Sequence, residues 1–287
     1  MKQSKWLLLL PLALIWGSSF ILMKKGLLGL NPVQLGALRI VAASLFLIAV
    51  GFNSLKKIRS TQWKYIFLSA FVGTFVPVFL FAFAQTQISS SVSGILNSLT
   101  PLNTLIFGAL FFGLGFQRRQ LFGVLIGLTG CLVLILSGFV DNPEQNYYFA
   151  ILVVIAAACY ALNVNFIKKY LSDLNSVSIT TGNFVVMLLP ALAMLYFSGY
   201  FEVIHMAQTQ TASLYIVVLA IVGTGIANIL FFRLIQISSP IFASSVTYLI
   251  PVVAMIWGFL DGEILSPLQL FGALIILGGV YLSSRKA

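Results

Sequence analysis

Ten long apolar runs, separated by short polar stretches, occupy most of this 287-residue sequence. They cover approximately residues 6–23, 33–52, 65–84, 90–113, 120–138, 147–167, 177–197, 213–235, 240–260 and 267–284. An α-helix needs about 20 mostly apolar residues to cross the hydrocarbon core of a bilayer. Because 60% of the residues are hydrophobic and only 8% are charged, a water-soluble core could not enclose so much apolar surface. The sequence therefore predicts an all-α integral membrane protein with ten transmembrane helices, surrounded by lipid.

The distribution of charged residues supports this number of helices. If the N-terminus is cytoplasmic, only Lys24 and Lys25 fall outside, and Arg39 lies within the second run. The other thirteen cations are then cytoplasmic: Lys2, Lys5, Lys56, Lys57, Arg59, Lys64, Arg118, Arg119, Lys168, Lys169, Arg233, Arg285 and Lys286. Five of the six acids fall outside: Asp141, Glu144, Glu202, Asp261 and Glu263. Positively charged connections stay cytoplasmic, so both termini are predicted to be cytoplasmic. The net charge of +10 is explained by these topology signals and does not indicate a nucleic-acid partner.

The second half of the sequence repeats the first. Val72-Gly73-Thr74 recurs as Val222-Gly223-Thr224, Gln87-Ile88-Ser89-Ser90 recurs as Gln236-Ile237-Ser238-Ser239, and Pro101 corresponds to Pro251. Each half contains five helices, an odd number, so residues 1–143 and 144–287 must have opposite orientations in the membrane. Inverted repeats are typical of secondary transporters, in which the solute site lies between the repeats near the middle of the bilayer. The sequence thus predicts two inverted five-helix repeats around a site for a small solute.

Polar residues within the apolar runs are the candidates for a solute path, because polar groups are costly in lipid unless they meet partners or water. Arg39 is the charged residue placed well inside a run. Its guanidinium group suits a carboxylate, with which it forms paired hydrogen bonds. The alternative is a structural arginine that binds backbone carbonyls or extends toward the membrane surface. The repeat mate of Arg39 is Asn183, so the symmetry of the scaffold does not itself require the charge.

The remaining candidates lie mostly at matched positions in the two halves. The substrate-binding candidates are Trp16 and Ser19 with their mates Tyr160 and Asn163, Asn97 with its mate Thr247, and Thr100, Asn228 and Tyr248. For a single Ser or Thr, hydrogen bonding between helices is the alternative role. Pro101 and Pro251 are predicted gating hinges, because a proline removes a backbone hydrogen bond where a helix must bend.

Glycines recur in the fifth and tenth runs. They are Gly123, Gly127, Gly130, Gly272, Gly278 and Gly279. Small residues let helices approach closely, so the pattern predicts packing within each half. A homodimer through these peripheral helices is the alternative.

The predicted spans lack acidic residues that could couple transport to protons or take part in catalysis. No Asp or Glu lies within a span, and no metal-ligand or nucleophile–base pattern is present in the sequence. Exporters that exchange cationic drugs for protons ordinarily place an acid in the path. The sequence therefore favours facilitated diffusion or exchange of a neutral, zwitterionic or anionic solute, with no enzyme activity, metal or cofactor. A lipid scramblase and a membrane receptor are the alternatives, and neither explains the inverted repeat as simply.

The sequence resembles the ten-helix, EamA-type branch of the drug/metabolite transporter superfamily over essentially its whole length. The resemblance rests on Trp16-Gly17-Ser18-Ser19-Phe20, on Ala37-Leu38-Arg39, on Pro101 and Pro251, and on the glycine-rich last run ending in Ser283-Ser284-Arg285. It implies a cavity lined by helices one to four and six to nine, with helices five and ten at the periphery. It also implies a bacterial inner-membrane protein that exports an amino acid or another metabolite.

Overall fold

The computed structural model describes residues 5–113, 118–142 and 144–284, and these residues form helices and no strand. The ten long helices are α1 (Lys5–Leu27), α2 (Pro32–Gly51), α3 (Ser60–Ala84), α4 (Ser90–Phe112), α5 (Arg118–Asp141), α6 (Tyr147–Tyr170), α7 (Ser176–Phe197), α8 (Ala207–Ile237), α9 (Phe242–Leu260) and α10 (Pro267–Ser284). Within the described ranges, nine are long and apolar enough to span a membrane, and α10 is a shorter apolar helix. The predicted all-α, ten-helix membrane fold is confirmed.

Several helices extend beyond the apolar runs that predicted them. α1 continues to Leu27, so Lys24 and Lys25 lie in its last turn and not in a loop. α5 continues to Asp141, and α8 begins at Ala207. Helix ends that reach the aqueous interface can include polar residues, because these side chains are solvated there. Hydrophobicity alone therefore underestimates the lengths of these helices.

The connections before α2 and α7 use the same N-terminal cap. Asn31 accepts a hydrogen bond from the backbone N–H of Gln34 at 2.9 Å, and the Gln34 side chain accepts one from the Asn31 N–H at 3.0 Å. At the matched position before α7, Asn175 accepts from the Ser178 N–H at 2.8 Å. Such caps satisfy backbone donors that have no partner within the helix. They begin α2 and α7 at equivalent positions in the two halves.

Two helices contain a π-helical turn. In α3 the turn covers Phe71–Phe75, and in α8 it covers Leu219–Ile226. Both segments include the repeated Val-Gly-Thr motif. A π turn interrupts the regular α-helical hydrogen bonds and is common at functional sites. The motif therefore marks the same local irregularity in both halves.

Helices α4 and α9 are interrupted just before their prolines. In α4, helical turns end at Asn97 and resume at Thr100, with Pro101 in the first turn of the second part. In α9, a 3₁₀ turn precedes the part that begins at Ile250. Because Pro101 has no N–H, the Asn97 carbonyl instead accepts the Thr100 hydroxyl at 2.7 Å. The structure thus shows a break beside each proline, and the gating role of Pro101 and Pro251 stays a prediction.

The helices pack in pairs that correspond when the two halves are exchanged. α2 packs on α7, and α5 packs on α10; α1 contacts α8 and α9, as α6 contacts α3 and α4. This arrangement agrees with two related halves, although their division at residues 143 and 144 stays a prediction. Five acids lie at the end of α5 or in the connections that follow α5, α7 and α9, and we call that side the acidic face. They are Asp141, Glu144, Glu202, Asp261 and Glu263. The opposite side is called the basic face.

Helices α5 and α10 pack against each other at several of their glycines. A Cβ atom added to Gly130 would lie 2.6 Å from the Ile276 nitrogen, and one added to Gly279 would lie 2.4 Å from the Gly127 nitrogen. Packing of these glycines within each half was predicted, and this holds for Gly127, whose added Cβ atom would lie 2.2 Å from Leu102 on α4. It is wrong for Gly130, Gly272 and Gly279, which pack across α5 and α10 and therefore across the two halves. We call this contact the glycine seam. A homodimer through the peripheral helices stays a prediction and would need their outward faces.

Candidate functional site

A cavity of about 90 Å³ lies between α1, α2, α3, α4, α6, α8 and α9. Its polar lining consists of Trp16, Ser19, Arg39, Thr74, Asn97, Thr100, Tyr160, Asn163, Thr224, Asn228 and Thr247. Its apolar lining consists of Phe20, Met23, Gly73, Val78, Phe81, Val164, Gly223, Phe231 and Phe232. A water molecule needs roughly 10 to 15 Å³ of such volume. The cavity therefore has room for several waters or a small solute.

Nine of the ten predicted binding residues lie on this wall: Trp16, Ser19, Arg39, Asn97, Thr100, Tyr160, Asn163, Asn228 and Thr247. Tyr248 does not line the cavity and packs against the hydrophobic core. The binding roles of all ten residues stay predictions. The three pairs of repeat mates meet in one place, which agrees with a site between the halves.

Helix α7 was expected to line the cavity, yet it contributes no residue to the described wall. It packs instead against α2 and α3. Asn183 on α7 is fully buried, and its amide lies 3.1 Å from the Ser69 hydroxyl. The repeat mate of Arg39 therefore joins helices outside the cavity, which makes the polar lining asymmetric.

Arg39 extends from α2 into the cavity. Its Nε atom donates to the Thr224 hydroxyl at 2.8 Å, and its Nη1 atom lies 3.6 Å from the Met23 sulfur. The ion pairs of the described residues involve Lys24, Lys25 and Arg59 but not Arg39. A guanidinium group has five N–H donors, so Arg39 retains donors for a bound group. Since an uncompensated buried charge is unfavourable, the cavity favours an anion.

The two π turns form part of the cavity wall. Thr224 accepts the Arg39 hydrogen bond, and the indole Nε1 of Trp16 donates to the Gly223 carbonyl at 2.9 Å. On the opposite side, a Cβ atom at Gly73 would lie 1.9 Å from the Asn163 Nδ2 atom. Gly73 therefore lets Asn163 occupy its observed position. From the sequence, these motifs indicated the repeat and were not predicted to lie at the site. The signal that could have identified them is a Gly followed by a polar Thr within an apolar run.

Asn163 presents an acceptor that the protein does not use. Its Oδ1 atom is buried and has no hydrogen-bond partner among the described residues. Nearby, the rings of Tyr160 and Phe81 stack with centroids 5.9 Å apart, and Trp16 packs edge-on against Phe231 at 4.8 Å. The wall thus combines a cation, an unused amide oxygen and aromatic faces. This combination can bind a solute that has both a carboxylate and an N–H group.

The protein regions beyond the two ends of the cavity differ in chemistry. Toward the acidic face, Lys24 and Lys25 form ion pairs with Asp261 and Glu263. Toward the basic face, α1, α6, α8 and α9 contribute to an apolar cluster that includes Leu12, Val164, Phe232, Ala243 and Val246. We call the first group the ion cluster and the second the apolar plug.

Replacement of Trp16 by phenylalanine should lower the stability of the protein by about 1 kcal/mol, the typical net contribution of one hydrogen bond. The change keeps an aromatic ring against Phe231 but leaves the Gly223 carbonyl without the indole donor. Thermal unfolding in detergent measures the effect. Trp257→Phe is the matched control, because its indole donates to the Ser18 hydroxyl at an exposed site. Equal losses in the two variants would contradict a special role for the Trp16 bond.

The long apolar helices and the cavity between them define a multi-pass membrane protein with a partly polar cavity inside its helix bundle. The EamA-like transporter family matches residues 4–136 and 148–285. The chain therefore belongs to this family of transporters.

Several curated sequences and a solved structure are similar over nearly their whole length. An Archaeoglobus fulgidus protein named "uncharacterized transporter" is 25% identical over 99% of this chain and 100% of its own. An Escherichia coli K12 protein named "uncharacterized inner membrane transporter YedA" is 26% identical over 97% of this chain and 92% of its own. A Salmonella typhimurium protein named "probable amino-acid metabolite efflux pump" is 26% identical over 99% and 95%. A crystal structure with 19% identity matches the fold with a TM-score of 0.67, over 99% of this chain and 98% of its own.

Proposed function

We propose that this protein is a secondary transporter or facilitator that exports a small metabolite with a carboxylate group, an amino acid or a related solute. The observation that carries the proposal is Arg39, a buried cation on the cavity wall without an acidic partner among the described residues. Inside a membrane protein, such a charge is expensive and is typical of a substrate path. A carboxylate would supply the missing countercharge when the solute binds.

The rest of the lining supports a zwitterionic solute. Asn163 Oδ1 can accept a hydrogen bond from an ammonium group, and the Tyr160 and Phe81 rings offer faces that attract a cation. No acid lies on the wall that the structure describes, so amide oxygen and aromatic rings would bind the amino group. An amino acid bound in this way would orient its carboxylate toward α2 and its amino group toward α6.

Alternating access is the mechanism that we propose for release. The halves would rock about the central cavity, so that the solute reaches one face of the membrane at a time. Export, the bacterial inner membrane and cytoplasmic termini are supported by the names of the E. coli and S. typhimurium relatives and by the charge asymmetry. No catalytic step is part of the proposal.

A lipid scramblase is less well supported than a solute transporter. A scramblase moves polar headgroups along a path beside the lipid tails, whereas the polar wall here is formed between seven helices. The proposed partners are thus a small solute and the surrounding lipid. A receptor would bind the same solute without moving it, and a flux measurement separates the two.

Binding and flux measurements test this proposal. Purified protein is expected to be stabilised by amino acids with a free carboxylate and not by their amides or methyl esters. A ligand at 100 times its dissociation constant adds about 2.7 kcal/mol to the stability of the folded state. Proteoliposomes loaded with the stabilising solute should release it faster than liposomes that contain no protein. Equal response to acids and esters would contradict the carboxylate site, and binding without flux would indicate a receptor.

A further inference from the structure

The ion cluster joins the end of α1 to the connection between α9 and α10. The Lys24 Nζ atom lies 2.8 Å from Asp261 Oδ2 and 2.9 Å from Glu263 Oε1. Lys25 forms a further ion pair with Asp261. The lysines belong to the first half and the acids to the second. The cluster therefore holds the two halves together at the acidic face.

Glu263 also binds the beginning of α4. Its Oε1 atom accepts the Ser90 N–H at 3.1 Å and the Ser90 hydroxyl at 2.6 Å, and its Oε2 atom accepts the Ser91 N–H at 3.0 Å and the Ser91 hydroxyl at 2.6 Å. With Lys24, the carboxylate accepts five hydrogen bonds, and its side chain is 5% exposed. Burial works to raise the pKa of Glu263, but the bonds from Ser90, Ser91 and Lys24 outweigh it and hold the pKa below its usual value. The buried carboxylate is therefore kept ionised and bound.

Close helix packing lies directly beneath the cluster. A Cβ atom at Gly94 on α4 would lie 2.5 Å from the Cβ atom of Ala254 on α9. Met23, which precedes Lys24 in the sequence, lines the cavity. The ion cluster and the Gly94–Ala254 contact thus lie between the cavity and the acidic face.

The corresponding residues at the basic face make different contacts. Lys168 is the repeat mate of Lys24, because Lys24-Lys25 precede the capping Asn31 as Lys168-Lys169 precede the capping Asn175. Lys168 donates to the carbonyls of Ile235, Gln236 and Ser238 at 3.1, 3.2 and 2.8 Å. These carbonyls belong to its own half. The connection between α4 and α5, which corresponds to the one that carries Asp261 and Glu263, has the sequence Gly-Leu-Gly-Phe-Gln at 113–117 and contains no acid. Lys168 therefore has no acid to pair with in that connection, and the ion pair that the described residues form between the halves at the basic face is the exposed one between Arg59 and Asp173.

We propose that Lys24, Lys25, Asp261 and Glu263 form a one-sided latch that keeps the cavity closed toward the acidic face. This inference rests on the proposed transport function in one respect: export would require the latch to open so that the solute leaves at that face. The latch itself controls access to the cavity with or without a solute. Its four residues would thus set how often the cavity opens toward the acidic face.

Cysteine labelling tests the latch without any solute. In a background with Cys131→Ala and Cys159→Ala, the variant Val78→Cys places a thiol on the cavity wall. A membrane-impermeant maleimide is added to proteoliposomes from the acidic face, and the labelling rate is measured. Glu263→Gln and, separately, Lys24→Gln should raise this rate roughly tenfold, because each removes a charge-assisted contact. Asp173→Asn is the matched control, since it removes the Arg59 ion pair at the basic face and should leave the rate unchanged.

A second measurement covers the case in which the latch variants do not fold. With the four latch residues intact, raising the salt concentration should speed the labelling of Val78→Cys from the acidic face, because salt weakens the partly exposed ion pairs of Lys24 and Lys25 with Asp261. The labelling rate of a cysteine at a fully exposed position corrects for any direct effect of salt on the maleimide reaction. If the folded latch variants are labelled at the wild-type rate, or if salt does not change the labelling rate, the proposed latch is wrong, and the proposed transport of carboxylates is unaffected. If the latch variants are labelled faster but the protein transports no carboxylate solute, the proposed function is wrong and the latch is not.

Discussion

Replacement of Arg39 by alanine is expected to abolish transport of carboxylate solutes and to leave the protein folded in detergent. Each hydrogen bond to a charged group contributes about 1.5 to 3 kcal/mol, so losing a paired contact should lower the rate at low solute concentration roughly 100-fold or more. The fold should persist, because Arg39 lacks an acidic partner in the described structure and its removal leaves no buried carboxylate uncompensated. Solute flux in proteoliposomes and size-exclusion chromatography measure the two outcomes.

Two variants make the Arg39 experiment specific. Arg39→Lys keeps the positive charge but cannot form the paired, planar contact, so its flux should lie between those of the wild type and the alanine variant. Asn183→Ala changes the repeat mate, which contacts Ser69 outside the cavity, and should lower stability with little effect on solute preference. If Arg39→Ala transports a carboxylate solute at the wild-type rate, the anchoring role is wrong.

Replacement of Gly279 by alanine is expected to separate α5 from α10. The new Cβ atom would lie 2.4 Å from the Gly127 nitrogen and 2.6 Å from the Gly123 carbonyl oxygen. These are backbone atoms, which cannot rotate away as a side chain can. Overpacking of this kind costs about 1 to 3 kcal/mol, and the melting temperature in detergent should fall by several degrees.

The adjacent glycine provides a control for the seam experiment. A Cβ atom at Gly278 would have no neighbour within 4 Å. Gly278→Ala should therefore leave the melting temperature unchanged or raise it slightly, since alanine favours the helical backbone more than glycine does. The seam interpretation fails if both alanine variants melt at the same temperature.

Hydrophobic runs and matched motifs predict much of this molecule. The ten runs correspond to the ten helices, because the need to span a bilayer sets both length and composition. Polar residues at equivalent places in the two halves also predict the cavity wall. Trp16 and its mate Tyr160 both lie on the cavity wall, and so do Ser19 and its mate Asn163. The repeat brings such mates together whenever the halves enclose a common space.

Other features depend on contacts that local sequence does not encode. Lys24 and Glu263 are 239 residues apart, and no local pattern links them. The absence of α7 from the described wall follows from its packing on α2, although its composition resembles that of the lining helices. The glycine pattern indicates close contact but not the partner helix, so the pairing of α5 with α10 could not be deduced. The π turns likewise depend on backbone hydrogen bonding rather than on hydropathy.

If the two halves rock as proposed, opening toward the basic face and opening toward the acidic face would have different thermodynamics. Opening through the apolar plug would expose hydrocarbon of Phe232, Ala243 and their neighbours to water, which gives a positive heat-capacity change and a curved temperature dependence. Opening through the ion cluster would separate Lys24 from Asp261 and Glu263 and rehydrate their charges, which makes it sensitive to ionic strength. Temperature would then act mainly on opening at one side of the membrane, and salt mainly on opening at the other.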